Sequence, residues 1–98
     1  MEIIKNLEGT TLTIALTDKL DTNSAPELEE ELNKSLDGVT KLIFDFAKLS
    51  YLSSAGLRVL LSSQKTMNKQ GSMVLKNVSE EVMEVFEVTG FADIFNIQ

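Results

Sequence analysis

The alternation of apolar and polar positions changes period several times along the chain, and each change marks an element. Ile3 to Leu7, a Glu8-Gly9 turn and Thr11 to Thr17 read as a β-hairpin. In TLTIALT the side chains of Leu12, Ile14 and Leu16 fall on one face and Thr11, Thr13 and Thr17 on the other, and Gly9 supplies the positive φ that a tight turn needs. The period then lengthens to that of a helix. SAPELEEELNKSLDG opens with Ser24 and Glu27 in capping-box spacing and Pro26 in the first turn, and it places Ala25, Leu28, Leu32 and Leu36 on one side before Gly38 closes it. KLIFDFAKL follows. Leu42, Ile43, Phe44 and Phe46 form a nearly continuous apolar run, which suits a central strand covered on both faces, so helices should flank the sheet.

The helical period returns from Ser54 to Gln70, with Leu57, Leu60, Leu61 and Met67 in register and Gly71 as the stop. SMVLKNV reads as another strand. Ser79 then caps EEVMEVFEVTG, which has acids in its first turn, Val82, Val85 and Phe86 on one side, and Gly90 at its end. A short terminal helix in FADIFNI should dock Phe91, Ile94 and Phe95 on the core. The order β-β-α-β-α-β-α-α predicts an α/β fold: a mixed sheet of about four strands with helices packed against it, in one domain over residues 1–98. In open α/β sheets, sites gather where strands end and helices begin. SYLSSAG, residues 50–56, is such a junction, with Ser53 as the natural N-cap of a helix whose first N–H groups lack partners of their own.

Composition narrows the chemistry. The chain has no cysteine and no histidine, which removes thiol nucleophiles, thiolate and imidazole metal sites and the commonest general base, so no metal or cofactor is expected. A net charge of −6 with scattered lysines repels phosphate backbones and anionic lipid, so neither nucleic acid nor a membrane surface is an expected partner. No apolar run approaches the ~20 residues of a spanning helix, and MEIIKNLEG lacks the features of a signal peptide, so a cytoplasmic location is the default expectation. A protein partner remains.

LDTNSAPELEEEL, KLIFDFAKLSYLSSAGLRVLL and MVLKNVSEEVMEVFEVTGF together resemble the STAS domain family of anti-sigma factor antagonists, over nearly the whole chain. The family commonly presents an aromatic and an aliphatic residue followed by Asp-Ser-Ser/Thr-Gly-Leu; here the stretch reads Tyr51-Leu52-Ser53-Ser54-Ala55-Gly56-Leu57, with Leu20-Asp21 upstream. Ser53 stands at the usual aspartate position and Ala55 at the second hydroxyl. The resemblance implies that Ser54 is the phosphoacceptor for a partner serine kinase that is also the anti-sigma factor. It further implies a partner surface of Asp21, Ser53, Ser54, Ala55 and Gly56, with a serine phosphatase as a further candidate partner and no enzymatic activity of the chain's own; Arg58, on an exposed face of the same helix, is placed to meet an acidic partner.

Each of these residues also has a plainer reading. Ser53 caps, Ser54 fills the first turn and Gly56 permits close packing; Asp21 makes turn hydrogen bonds; Arg58, the only arginine, is an exposed side chain; Leu57, Met67 and Met73 are core. The run Glu27, Glu29, Glu30 and Glu31 is a solvated helix face. Asp45, alone within LIFDF, should find hydrogen-bond donors near the sheet's end and help to hold the Ser53-Ser54 loop. On these readings the alternative function is a constitutive STAS-type subunit of a larger complex. Ser54 as an enzymatic nucleophile lacks a histidine base and the G-x-S-x-G pattern.

Overall fold

The computed structural model describes residues 1–98. The chain forms β1 (Ile3–Glu8), β2 (Thr11–Leu20), α1 (Ala25–Ser35), β3 (Lys41–Leu52), α2 (Ser54–Gln70), β4 (Ser72–Lys76), α3 (Glu80–Thr89), a 3-10 turn (Phe91–Asp93) and β5 (Asn96–Ile97). The five strands lie in one sheet in chain order, β1 antiparallel to β2 and every later neighbour parallel. The sheet thus has one strand more than the periodicity predicts. β5 is two residues long, too short for any period to register, and it pairs Ile97 with Leu75 at the β4 edge.

The hairpin forms with Glu8 opposite Thr11, so its turn residues are Gly9 and Thr10, and Gly9 has φ +62°. β2 and β3 both outrun their expected ends. Their register slips between Ala15 and Thr17 and again between Asp18 and Lys19, and the bulged ribbon continues to the Leu20–Leu52 pair. Asp18 takes φ +67° within it, and its carbonyl accepts a hydrogen bond from Ser50 Oγ at 2.9 Å. The strand expected over KLIFDFAKL therefore continues through Ser50, Tyr51 and Leu52. The bulges space the buried Leu49 and Leu52 three apart, which breaks the period-2 pattern that would have marked the segment.

Alternate residues of β2 and β3 (Leu12, Ile14, Leu16, Leu42, Phe44 and Phe46) join Leu28 and Leu32 of α1, Leu57 and Leu60 of α2, and Val82 and Phe86 of α3 in one core cluster. Each fully buried side chain of this size contributes about 1.5–3 kcal/mol by leaving water. The intervening Ile43 and Asp45 stay half-buried, so β3 is not covered on both faces as its apolar run predicts. Ile43 lies laterally between Thr13 and Val74, which shield it without a helix overhead.

The helix ends divide between expectation and correction. Ser53 and Ser79 cap α2 and α3 from extended backbone, and Gly90 ends α3 at φ +80°. Ser24 has near-helical angles, φ −97° and ψ −21°, and makes no capping bond, so the capping box with Glu27 does not form. α1 ends at Ser35 with Leu36 as C-cap, two residues before Gly38. Near the C-terminus Phe95 is buried, edge-on to Phe86 and Phe91 at centroid distances of 5.4 and 6.0 Å, whereas Ile94 is 47% exposed and does not dock.

Candidate functional site

β2 and β3 run parallel, so their carboxyl ends emerge together, and the loops that follow them lie side by side. Leu20 closes β2 and its carbonyl accepts the Ser53 N–H at 2.9 Å, fixing the start of α2 against the start of the β2–α1 loop. This bond is invisible to sequence patterning, since it joins two backbones.

Ser53 Oγ accepts the Gly56 N–H at 3.4 Å, and the Ser53 carbonyl accepts from Leu57 at 3.0 Å. Its hydroxyl is thereby turned back into the helix. Ser54, the first helical residue, is exposed, and its hydroxyl has no hydrogen-bond partner in the protein. The first turn of α2 carries no acid, unlike those of α1 and α3, so no side-chain charge offsets the positive end of the helix dipole beside Ser54.

Gly56 is buried because nothing larger fits. A Cβ there would lie 2.7 Å from Leu20 Cγ and from Leu52 Cδ1, and 3.0 Å from the Leu20 carbonyl oxygen. Ala55 packs at the rim of the core and Leu57 within it. Arg58, one turn beyond Ser54, is exposed and makes no ion pair. Ala55 and Arg58 form one wall of a groove of about 260 Å³, opposite Thr22, Pro26 and Glu29 of the α1 side. Tyr51, the aromatic residue that opens the signature, is 51% exposed and stands beside Lys19 in the β2–β3 register; the sequence marks its type, and its exposure follows from the strand continuing past the end that patterning gives it.

Asp21 organises the neighbouring loop. Its Oδ1 accepts the N–H groups of Asn23 and Ser24 at 3.0 and 3.1 Å, while its own N–H donates to Ser24 Oγ at 2.9 Å and Ser24 Oγ donates to the Lys19 carbonyl at 2.8 Å. The Ser24 N–H bond, followed by that of Asn23, holds the Asp21 carboxyl below its ordinary value. Asp21 and Ser53–Arg58 thus meet at one end of the sheet.

Asp45 does not support this loop. Its Oδ1 accepts from Asn77 Nδ2 at 2.9 Å and the Ala47 N–H at 3.0 Å, and these bonds, Asn77 foremost, lower its carboxyl from the ordinary value. It ties β3 to the residue after β4, where Asn77 turns through φ +58°. The expected donors are present, but they belong to a different loop.

No group of three or more acidic, cysteine or histidine side chains is arranged to hold a metal. No helix is long and apolar enough to cross a membrane.

A family model, the STAS domain, matches residues 2–98. Among curated proteins the chain is 42% identical over 76 residues to BtrV of Bordetella bronchiseptica, assigned as an anti-sigma factor antagonist, covering 76% of this chain and 66% of that one. It is 34% identical over 85 residues to the anti-sigma-B factor antagonist of Bacillus subtilis, covering 86% of this chain and 78% of the relative. Among solved structures, unphosphorylated SpoIIAA, an anti-sigma factor antagonist, superposes with a TM-score of 0.86 at 22% identity, over 99% of this chain and 88% of that one. SpoIIAA is also known in a phosphorylated form, which matches with a TM-score of 0.78.

Proposed function

The chain belongs to the STAS domain family, and on that premise we propose that it is an anti-sigma factor antagonist that binds an anti-sigma factor with serine-kinase activity and is switched off by phosphorylation of Ser54. The observation that carries this reading is the division between adjacent hydroxyls: Ser53 is engaged as the helix cap, and Ser54 is exposed with nothing bonded to it. The names of the relatives support the antagonist role, and the phosphorylated form of SpoIIAA supports a switch of this kind. The partner surface is Ser53, Ser54, Ala55 and Arg58 with, across the β2–α1 loop, Asp21; Gly56, expected from the sequence to belong to it, is buried against Leu20 and Leu52 and supports the surface from beneath. A serine phosphatase would reset the switch, and the setting is the cytoplasm.

Physical chemistry supplies the mechanism. A phosphate on Ser54 adds about −1.5 to −2 charge at a helix N-terminus, where the dipole and free N–H groups accept an anion, so the fold survives. The complex does not. Against an apolar or acidic partner surface, burying that dianion unpaired costs on the order of 2 to 5 kcal/mol, which weakens association roughly 30-fold to several thousandfold.

The test is affinity capture from lysate of the native organism with wild type and Ser54→Asp as baits, after both give the same far-UV circular dichroism. An anti-sigma-type serine kinase retained by wild type and lost with Ser54→Asp is the expected result. Equal retention of one partner by both baits would instead make Ser54 a structural residue and the chain a constitutive STAS subunit, a reading favoured by the missing acid in the first turn of α2.

A further inference from the structure

α3 presents an outward face that its own fold does not explain. Val82 and Phe86 point into the core, and on a 100° per residue wheel Glu84 and Val88 then point to solvent, with Glu80, Glu81 and Glu87 beside them. Val88 is 79% exposed, the most exposed large apolar side chain of the chain. With half-buried Val85 it forms an apolar strip along a hollow of about 280 Å³, whose remaining walls are Glu81, Glu84 and Thr89. Residues 81, 84/85 and 88 have the i, i+3/i+4, i+7 spacing of one side of a helix–helix contact.

The charge on this helix is similarly unaccounted for. Glu80 and Glu81 lie in the first turn, where the dipole favours acids. Glu84 has no such reason, and Glu87 sits in the last turn, which lacks a base and where an acid is disfavoured. No lysine or arginine comes within 4 Å of any of the four carboxylates. On α1 two of the four acids are paired, Glu31 with Lys5 at 2.7 Å and Glu30 with Lys34 at 3.4 Å, whereas none of the four on α3 is. The carboxylates of α3, three and four residues apart, only repel one another.

We propose that this face of α3 is a docking surface for a basic amphipathic segment of a protein partner, which seats an apolar side chain against Val85 and Val88 and places lysine or arginine beside Glu81 and Glu84. Charge selects this occupant. A second copy meeting α3 to α3 would bring eight carboxylates together, and an anionic lipid surface would be repelled in the same way. The surface is separate from the residues of α2 assigned to the phosphorylation switch and does not rest on that assignment.

The experiment titrates isotope-labelled full-length protein with a synthetic amphipathic peptide of leucine and lysine in helical spacing, followed by amide and methyl NMR. An otherwise identical peptide with glutamate for lysine is the control. Binding is expected only with the lysine peptide, with shifts centred on Glu81 to Thr89. It should weaken by about tenfold or more in Glu81→Gln/Glu84→Gln and severalfold in Val88→Ser, and decline as salt rises. All three positions are exposed, so these variants keep the wild-type circular dichroism. Shifts spread equally over α1 and α3, or an affinity indifferent to Val88→Ser and to the two Gln substitutions, would reduce the effect to general attraction to an acidic protein and overturn the proposal. Concentration-dependent dimerisation abolished by Val88→Ser would overturn it in favour of self-association.

Discussion

Ser53 and Ser54 carry the same side chain at successive positions, yet their backbone angles give the hydroxyls different tasks. Ser53 has the extended conformation of an N-cap, φ −94° and ψ 173°, whereas Ser54 has already entered the helix. Ser53→Ala should therefore lower unfolding free energy by about 0.5–1 kcal/mol, the lower part of the range for a lost cap because the 3.4 Å bond is long. Ser54→Ala should stay within about 0.5 kcal/mol of wild type. Urea denaturation measures both, and equal losses would show that Ser53 does not stabilise α2 as a cap. The same contrast shows why residue types predict caps only in part. Ser24 has the residue identity and spacing of a cap, but the Asp21 N–H and the Lys19 carbonyl engage its hydroxyl from upstream, and its near-helical ψ turns it away from the role. Sequence reveals the candidate hydroxyls; the competition for them is three-dimensional.

At the scale of elements, the hand-over from α2 to β4 leaves no room for a side chain. A Cβ on Gly71 would stand 1.8 Å from the Thr40 carbonyl oxygen, which also accepts the Ser72 N–H at 3.0 Å. Gly71→Ala should cost about 3 kcal/mol or more, since the overlap is with backbone that is itself bonded into the sheet. A thermal midpoint within a degree or two of wild type would contradict this close approach. Gln70 reinforces the junction by donating from Nε2 to the carbonyls of Leu36 and Val39 at 2.7 and 2.6 Å. Periodicity located α1, α2 and α3 because each holds one regular period from end to end, and the short apolar run Met73–Leu75 marked β4. It lost the β2–β3 extension, where bulges reset the phase, and β5, which contains too few residues to have a phase. The junction at Ser53 and Ser54 was legible because a helix start is written in local residue types. The exposure of Tyr51 and the Leu20–Ser53 bond were not, because both depend on where that extended ribbon ends.

Across the whole molecule, three carboxyls have lowered folded-state values: Asp21 through the backbone of Ser24, Glu31 through its hydrogen bond to Lys5, and Asp45 through Asn77. A lowered carboxyl favours the fold above its unfolded value and loses that contribution as pH falls through the folded one. With no histidine to titrate between pH 5 and 8, the thermal midpoint should change little from about pH 6 to 8 and fall below about pH 4. Asp21→Asn/Asp45→Asn should flatten that acid limb; an unaltered limb would place its origin elsewhere. The strand order carries a kinetic consequence. Because the sheet runs β1 to β5 in chain order, every strand finds its partner in the segment synthesised immediately before it, apart from the intervening helix. Each β-α-β closure spans only a few tens of residues, so the nascent sheet grows by accretion from its N-terminal hairpin and needs no later segment to insert between strands already paired. β4 is the last long strand to be added, and until Asn96 and Ile97 pair with it, it remains an open edge that β5 covers at Val74 and Leu75.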